Sequence, residues 1–373
     1  MSTAKYSPID HPPGPTRLAE VLAALSFATD LGTGKSMGHA IRACYLGMDL
    51  AHELGLSTAE QADLYYSFLL MHSGCTSLSL ALTPLIKGDE LAAIGDVTLR
   101  DDTRTLEMLG WLRRNVSPDA PLPTRVLNLL QALLHSQDTG DVRGVCEVAF
   151  RVAQRLDMPP GVQNAVRHYL ERWDGKGPFG LRGSAIPLNA RLLHLALKVE
   201  ACHTAFGRHE AEAMILEHKG RIFDPEMVDS FLSVARKPAL WETLAQQDPW
   251  QVVLDLEPDS PNRYIEEARL DNVTLAAADF VDLKSPFTVG HSRETARFAE
   301  AIARRMGLPA ADITTVFRAA LVHDLGHVTL PGNILHPQHP LSEVDKERLR
   351  LHPYYTERIL SRVPAFAAVA AIA

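Results

Sequence analysis

The sequence predicts an all-α fold made of two helical-bundle units in tandem. Apolar residues recur at the i, i+3, i+4 and i+7 spacing of amphipathic helices. The segments with this spacing are 17–29, 41–54, 59–71, 145–156, 191–203, 292–306 and 313–323. Several of them end at a glycine followed by a leucine, as at Gly55-Leu56, a pattern typical of a helix C-cap. Alternating runs of β-branched residues are nearly absent, so no sheet of any size is expected.

An internal repeat with an offset of 252 residues predicts the tandem arrangement. The coincident residues include Leu18 with Leu270, Asp30 with Asp282, Gly38-His39 with Gly290-His291 and, after a one-residue slip, His72 with His323. We therefore expect a first unit over residues 1–245 and the first half of a second unit over residues 265–373. Residues 246–264 are polar and rich in proline, which is typical of a linker.

Composition restricts the classes of protein that the chain can belong to. Its 373 residues carry 37 Lys and Arg against 45 Asp and Glu, a formal charge of −8. This acidic balance argues against a broad basic surface, so direct nucleic-acid binding is not expected. No apolar run approaches the ~20 residues of a membrane span. Four widely spaced cysteines and an N-terminus without an apolar signal segment favour a reduced, cytoplasmic protein.

The strongest local signal for chemistry is the run His323-Asp324-Leu325-Gly326-His327. An adjacent imidazole and carboxylate at the end of an apolar helix suit a divalent ion such as Fe, Mn or Zn. His291, which enters the helix upstream, and His352, which precedes a proline downstream, are further candidate ligands. Each histidine alone is more simply interpreted as a structural residue. The ordered set His291, His323, Asp324 and His352 in one compact unit is what predicts a metal site.

These residues resemble a known family. Gly290-His291-Ser292, the HDLGH run at 323–327 and the segment 352–360 look like the HD superfamily of metal-dependent phosphohydrolases, specifically its HD-GYP branch. The first unit is similar to the later part of that branch's pattern, in segments 171–181, 186–191 and 220–225. Members of the branch hydrolyse cyclic dinucleotides such as cyclic di-GMP.

The resemblance implies a metal-dependent phosphodiesterase whose substrate is a cyclic dinucleotide or another phosphoester. His291, His323, Asp324 and His352 would be ligands of a divalent metal such as Fe or Mn, with Asp324 bridging two ions. Asp324 and His327 are the expected catalytic residues. His327 stands where the family usually has a lysine, and would either protonate the leaving oxygen or bind phosphate. Phe287 replaces a carboxylate of three-metal members, so at most two ions are expected.

Departures from the family pattern leave two functions open. In the first unit Ser73 replaces the Asp of the HD pair, Tyr169-Leu170 replaces paired histidines, and Leu197 replaces a later Asp. Because these side chains cannot bind a catalytic metal, we expect a degenerate first unit. By the family's spacing, the second unit's paired histidines would follow Ala373, so part of the site is expected to be missing. The alternative is a catalytically inactive regulatory, sensory or dimerisation module. We expect a homodimer through residues 355–373, where an incomplete unit would expose apolar surface.

Overall fold

A computed structural model of the chain describes residues 15–100, 104–118, 120–135, 140–246, 248–261, 263–337 and 340–373. It confirms the predicted all-α fold, since 71% of the structure is helical. The described residues include two short strands, β1 (Thr16–Arg17) and β2 (Tyr264–Ile265), which pair antiparallel. This pairing joins the start of the first predicted unit to the start of the second.

Each of the seven predicted helical segments is a helix, with ends that differ by a few residues. The helices before β2 are α1 (Leu18–Gly32), α2 (His39–Glu53), α3 (Thr58–Leu70), α4 (Thr76–Ile86), α5 (Glu90–Val97), α6 (Thr105–Asn115), α7 (Leu122–His135), α8 (Gly140–Arg155), α9 (Pro160–His168), α10 (Leu188–Phe206), α11 (Arg208–Glu217), α12 (Pro225–Val234), α13 (Pro238–Leu244) and α14 (Trp250–Leu256). After β2 come α15 (Glu267–Asp282), α16 (His291–Arg305), α17 (Ala310–Val322), α18 (Gly332–Leu335), α19 (Glu343–Arg350), α20 (His352–Leu360) and α21 (Ala367–Ala370). Short 3₁₀ helices span Met71–Gly74, Gly183–Ala185, Leu325–Thr329 and Pro364–Phe366.

Helix α1 lies at the centre of the molecule. Twelve of its fifteen residues are buried, because α2, α3 and α14 pack against it together with α20 and the 3₁₀ helix Leu325–Thr329. Its buried hydroxyls at Ser26 and Thr29 donate to carbonyls three residues earlier, which satisfies them inside the core. One continuous hydrophobic core therefore runs through both predicted units.

Residues 246–264 differ from the polar linker that their composition predicts. They contain α14, whose Val253 is fully buried and whose backbone carbonyl at that residue accepts a hydrogen bond of 2.8 Å from Tyr65. Glu257 is also buried, and Arg17 donates to its carboxylate at 2.8 Å. The polar and proline residues flank a short packed helix. The apolar face of that helix could not be recognised from the composition of the whole segment.

Most of the apolar surface expected over residues 355–373 is buried, and with Ile372 at 58% exposed the segment offers little apolar area for a dimer interface. Ile359, Leu360, Val363, Phe366 and Val369 are all buried. They are covered because α20 packs on α1 and α21 packs on α17.

The helices α5, α6 and α7, which the sequence patterns did not identify, form a separate small core. Its buried residues are Ile86, Ala93, Trp111, Leu112, Val116 and Ala132. The outer side of α6 and α7 carries large exposed apolar side chains, namely Leu106, Leu109, Leu122, Val126, Leu127, Leu130, Leu133 and Leu134. In the part of the chain that the structure describes, no helix combines the length and apolarity that crossing a bilayer requires.

Candidate metal centre

The start of α16 is fixed by a buried carboxylate. Asp282 accepts hydrogen bonds from the backbone N–H of Ser292 at 3.0 Å and from its hydroxyl at 2.7 Å. Gly290 precedes the helix with φ 81°, in the left-handed region that favours glycine. A similar arrangement occurs in the first half, where Asp30 accepts from the N–H of Ala40, the residue equivalent to Ser292, at 3.2 Å and Gly38 has φ 88°. This loop sets His291 at the first position of α16.

The HD pair follows the last turn of α17 and is held in place by α20. The N–H of Gly326 donates to the Thr356 hydroxyl at 2.9 Å, and that hydroxyl donates to the His323 carbonyl at 3.2 Å. A side chain at Gly326 would meet the His352 carbonyl oxygen at 2.0 Å, so only glycine lets the two segments approach so closely. This contact brings His352, the first residue of α20, beside Asp324.

Four imidazoles converge on the two oxygens of the Asp324 carboxylate. The Nε2 atoms of His323 and His291 lie 3.3 and 3.5 Å from Oδ2. Nδ1 of His327 and Nε2 of His352 lie 3.6 and 3.9 Å from Oδ1. The donor atoms therefore form two groups, each with two imidazoles, that share one carboxylate.

Backbone carbonyls orient two of the imidazoles. Nδ1 of His323 lies 2.9 Å from the Ala320 carbonyl, and Nδ1 of His352 lies 2.7 Å from the Leu349 carbonyl. An N–H at Nδ1 that donates to these carbonyls leaves the Nε2 lone pair directed at Asp324. This second hydrogen bond is typical of histidines that bind metals.

Burial shapes the electrostatics of the cluster. The Asp324 side chain is 14% exposed and that of His291 is 46% exposed, so the carboxylate lies at the base and His291 at the rim. Burial lowers the pKa of His327 to about 4, with Asp324 opposing the change and the neighbouring imidazoles adding to it. His327 is therefore neutral at pH 7.

The donor set fits divalent metal. Imidazole nitrogens and a carboxylate are ligands of borderline ions such as Fe²⁺, Mn²⁺ and Zn²⁺. Separations of 3.3 to 3.9 Å between nitrogen and oxygen are too long for good hydrogen bonds. They match the spacing of two ligand atoms that each lie about 2.1 Å from a shared ion.

All four residues predicted as ligands, His291, His323, Asp324 and His352, are brought together. His327, expected to act on the substrate, lies among the same donors, with its ring centroid 4.3 Å from that of His352. The sequence contained a signal that could have added His327 to the predicted ligands, because His327 supplies an imidazole where the family pattern has lysine.

The equivalent region of the first half is organised around an ion-pair network. His39 pairs with Glu200, and Arg42 Nε donates to the same carboxylate at 2.6 Å. Although burial alone would raise the pKa of Glu200, His39 and Arg42 hold it at about 2. The His72 ring stacks on that of His39 at 5.5 Å. Among the described residues, the groups of three or more side chains placed to hold a metal all lie around Asp324.

The GYP-like segment at 171–181 folds back on its own first residue. The Glu171 carboxylate accepts from the N–H of Phe179 at 2.5 Å and of Leu181 at 2.7 Å. The Glu171 carbonyl lies 2.9 Å from Nδ1 of His194, whose pKa is lowered to about 3 by burial and by Lys198. These contacts give the segment a structural explanation that needs no metal.

Comparisons with known proteins agree with this description. The family model for the HD domain matches residues 276–373. The chain is 29% identical to the 3'3'-cGAMP-specific phosphodiesterase 3 of Vibrio cholerae over 364 residues, which is 95% of this chain and 78% of that protein. A crystal structure of a V. cholerae cyclic GMP-AMP specific phosphodiesterase superposes with a TM-score of 0.67 at 27% identity, covering 94% of this chain and 80% of the other. A cyclic di-GMP phosphodiesterase of V. cholerae is 41% identical over 80 residues, 20% of this chain and 16% of that protein.

Proposed function

The chain is a homologue of the HD-GYP-type phosphodiesterases, and from this relationship we propose that it hydrolyses a cyclic dinucleotide with the help of divalent metal. The observation that carries the proposal is the Asp324 carboxylate shared by two pairs of imidazoles. HD-domain phosphodiesterases in general depend on divalent metals. The homology does not favour the alternative of a catalytically inactive regulatory module.

The first candidate substrate is 3'3'-cGAMP. The relative that aligns along almost the whole chain is named for that nucleotide. The relatives named for cyclic di-GMP align over about a quarter of the chain or less. Cyclic di-GMP is therefore the second candidate substrate.

The cysteine usage favours the cytoplasm as the compartment in which the protein acts.

The residues would divide the work as follows. His291 and His323 would hold one ion with Oδ2 of Asp324, and His327 and His352 would hold a second with Oδ1. Bound ions of this kind polarise a phosphodiester and lower the pKa of a water toward neutrality. The carbonyls of Ala320 and Leu349 keep two Nε2 lone pairs aimed inward, so little reorganisation is needed on binding.

Hydrolysis by the full chain is the direct test. Water adds to phosphorus while the bond to one ribose oxygen breaks, so the product is a linear dinucleotide. We expect the protein loaded with Mn²⁺ or Fe²⁺ to linearise 3'3'-cGAMP faster than cyclic di-GMP. Because part of the site is expected to be missing, the rate should be below the roughly 1 s⁻¹ that is ordinary for an enzyme. Liquid chromatography of the products, with elemental analysis of the same sample, measures turnover and metal content together. Stoichiometric metal without hydrolysis of either nucleotide would contradict the proposed activity.

We also propose that the protein is a homodimer, with its interface on α6 and α7 instead of residues 355–373. Eight exposed apolar side chains line this surface, from Leu133 at 40% exposed to Leu106 at 84%. Their combined area is on the order of the ~800 Å² that each partner buries in a standard interface. Since the exposed side chains listed here are all aliphatic, a second copy of the same surface related by a twofold axis is the occupant that we propose.

Substituting both Leu127 and Leu130 by glutamine is expected to convert the dimer to a monomer. Light scattering coupled to gel filtration over a range of concentrations measures the change. The exposed Leu216 of α11 provides a control, since Leu216→Gln removes a comparable side chain elsewhere. A wild-type protein that is monomeric at every concentration would refute this interface.

A further inference from the structure

Helix α5 of the first half contacts the segment that connects the metal-site residues. Glu90, its first residue, is fully buried. Both of its carboxylate oxygens accept from the N–H of Gly332, at 2.8 and 2.9 Å. The hydroxyl of Ser79 also donates to this carboxylate. A buried carboxylate is costly unless it is well hydrogen-bonded, so this contact fixes the relative position of the two segments firmly.

Gly332 lies on the chain between His327 and His352, at the start of α18. A side chain there would meet the Thr83 hydroxyl at 2.2 Å, so the backbone of this segment lies directly against α4. The ammonium of buried Lys284 donates to the Val328 carbonyl at 2.9 Å and holds the same segment from the other direction. The positions of His323, Asp324 and His327 thus depend on contacts made further along the segment.

The opposite end of α5 is tied to the first half. The Lys35 ammonium donates to the Thr98 hydroxyl, and Lys198 donates to the Thr98 carbonyl at 2.7 Å. Both ends of this eight-residue helix are therefore held by buried or half-buried polar contacts. Because both ends are held, α5 behaves as a rigid body, and Glu90 keeps a fixed position relative to the first half.

We propose that Glu90 is a positioning residue for the metal centre: through Gly332 it sets the segment 325–335 and thereby the orientation of the HD ligands. The inference rests on the proposed function, because it requires a metal to bind at Asp324. It gives the first half a role in the site, although the described residues of that half supply no metal donors there.

Binding of Mn²⁺ to the full chain tests this role without an activity assay. We expect Glu90→Ala to weaken Mn²⁺ binding by about 10-fold, the low end of the range for residues hydrogen-bonded directly to metal ligands, because Glu90 acts through Gly332. Glu90→Gln keeps the shape and one acceptor oxygen, so a smaller loss is expected. Calorimetry measures affinity, electron paramagnetic resonance reports the geometry at bound Mn²⁺, and thermal unfolding in metal-free buffer reports stability.

The results distinguish a positioning role of Glu90 from a purely structural one. Variants that are less stable but bind Mn²⁺ with wild-type affinity and spectrum would show a purely structural role and overturn the proposal. Ser79→Ala, which removes only one hydroxyl, keeps the test valid if Glu90→Ala does not fold, and it should weaken binding mildly. Glu242→Gln, at an exposed glutamate of α13, should change nothing. A wild-type chain that binds no Mn²⁺ would instead refute the metal centre itself, and this proposal with it.

Discussion

Replacing Asp324 by alanine is expected to abolish metal binding and to reduce turnover of a cyclic dinucleotide by at least about 1000-fold. Both groups of donor atoms depend on this one carboxylate, so its loss leaves only imidazoles. A metal contributes several kcal/mol of transition-state stabilisation, and each 1.36 kcal/mol corresponds to a tenfold change in rate. Folding stability should change little, because the nearest imidazole nitrogen is 3.3 Å from the carboxylate.

Elemental analysis and turnover of the same purified samples measure this effect. Asp312→Asn, at an exposed position near the start of α17, the helix that precedes Asp324, is the matched control and should keep full metal content. His72→Gln tests the first half in the same way and should also leave metal content unchanged. Metal retained at wild-type stoichiometry in Asp324→Ala would exclude the centre described above.

Replacing Glu200 by glutamine is expected to destabilise the protein by about 3–5 kcal/mol at pH 7, the cost of breaking a buried ion pair by removing one partner. Glu200 is almost completely buried and is the shared acceptor of His39 and Arg42. The variant leaves the Arg42 guanidinium buried without its carboxylate. Urea unfolding of wild type and variant measures the difference, with the exposed Glu242→Gln as control.

The pH dependence of that difference has a definite sign. The folded-state pKa of Glu200 is about 2 against an ordinary value of 4.5. The carboxylate therefore adds stability that is fully present above about pH 4.5 and is lost as the pH falls toward 2. We expect the gap between wild type and Glu200→Gln to narrow between pH 5 and pH 3. A gap that stays constant over this range would show that the Glu200 carboxylate is not held ionised by its partners.

The same network balances the buried Glu200 carboxylate with side chains of the first half itself. Where the second half gathers imidazoles around Asp324, the first half places an arginine and a histidine around Glu200. The guanidinium supplies positive charge to the carboxylate as a metal would. Whether residues 1–245 are a degenerate copy of the second unit remains a prediction, supported by the matching loops at Asp30 and Asp282.

The sequence alone determined the all-α fold and predicted His323 and Asp324 as a pair of ligands, because both depend on local information. Helical periodicity is a property of neighbouring residues, and His323-Asp324 lies within one short motif. Only the tertiary structure decided the position of His327 beside Asp324, the packing of residues 246–264 and the burial of most apolar side chains in residues 355–373. It also revealed the contact from Glu90 to Gly332, across 242 positions of the chain. Contacts of this kind arise from how helices pack in one shared core, and the spacing of residues along the chain does not predict that packing.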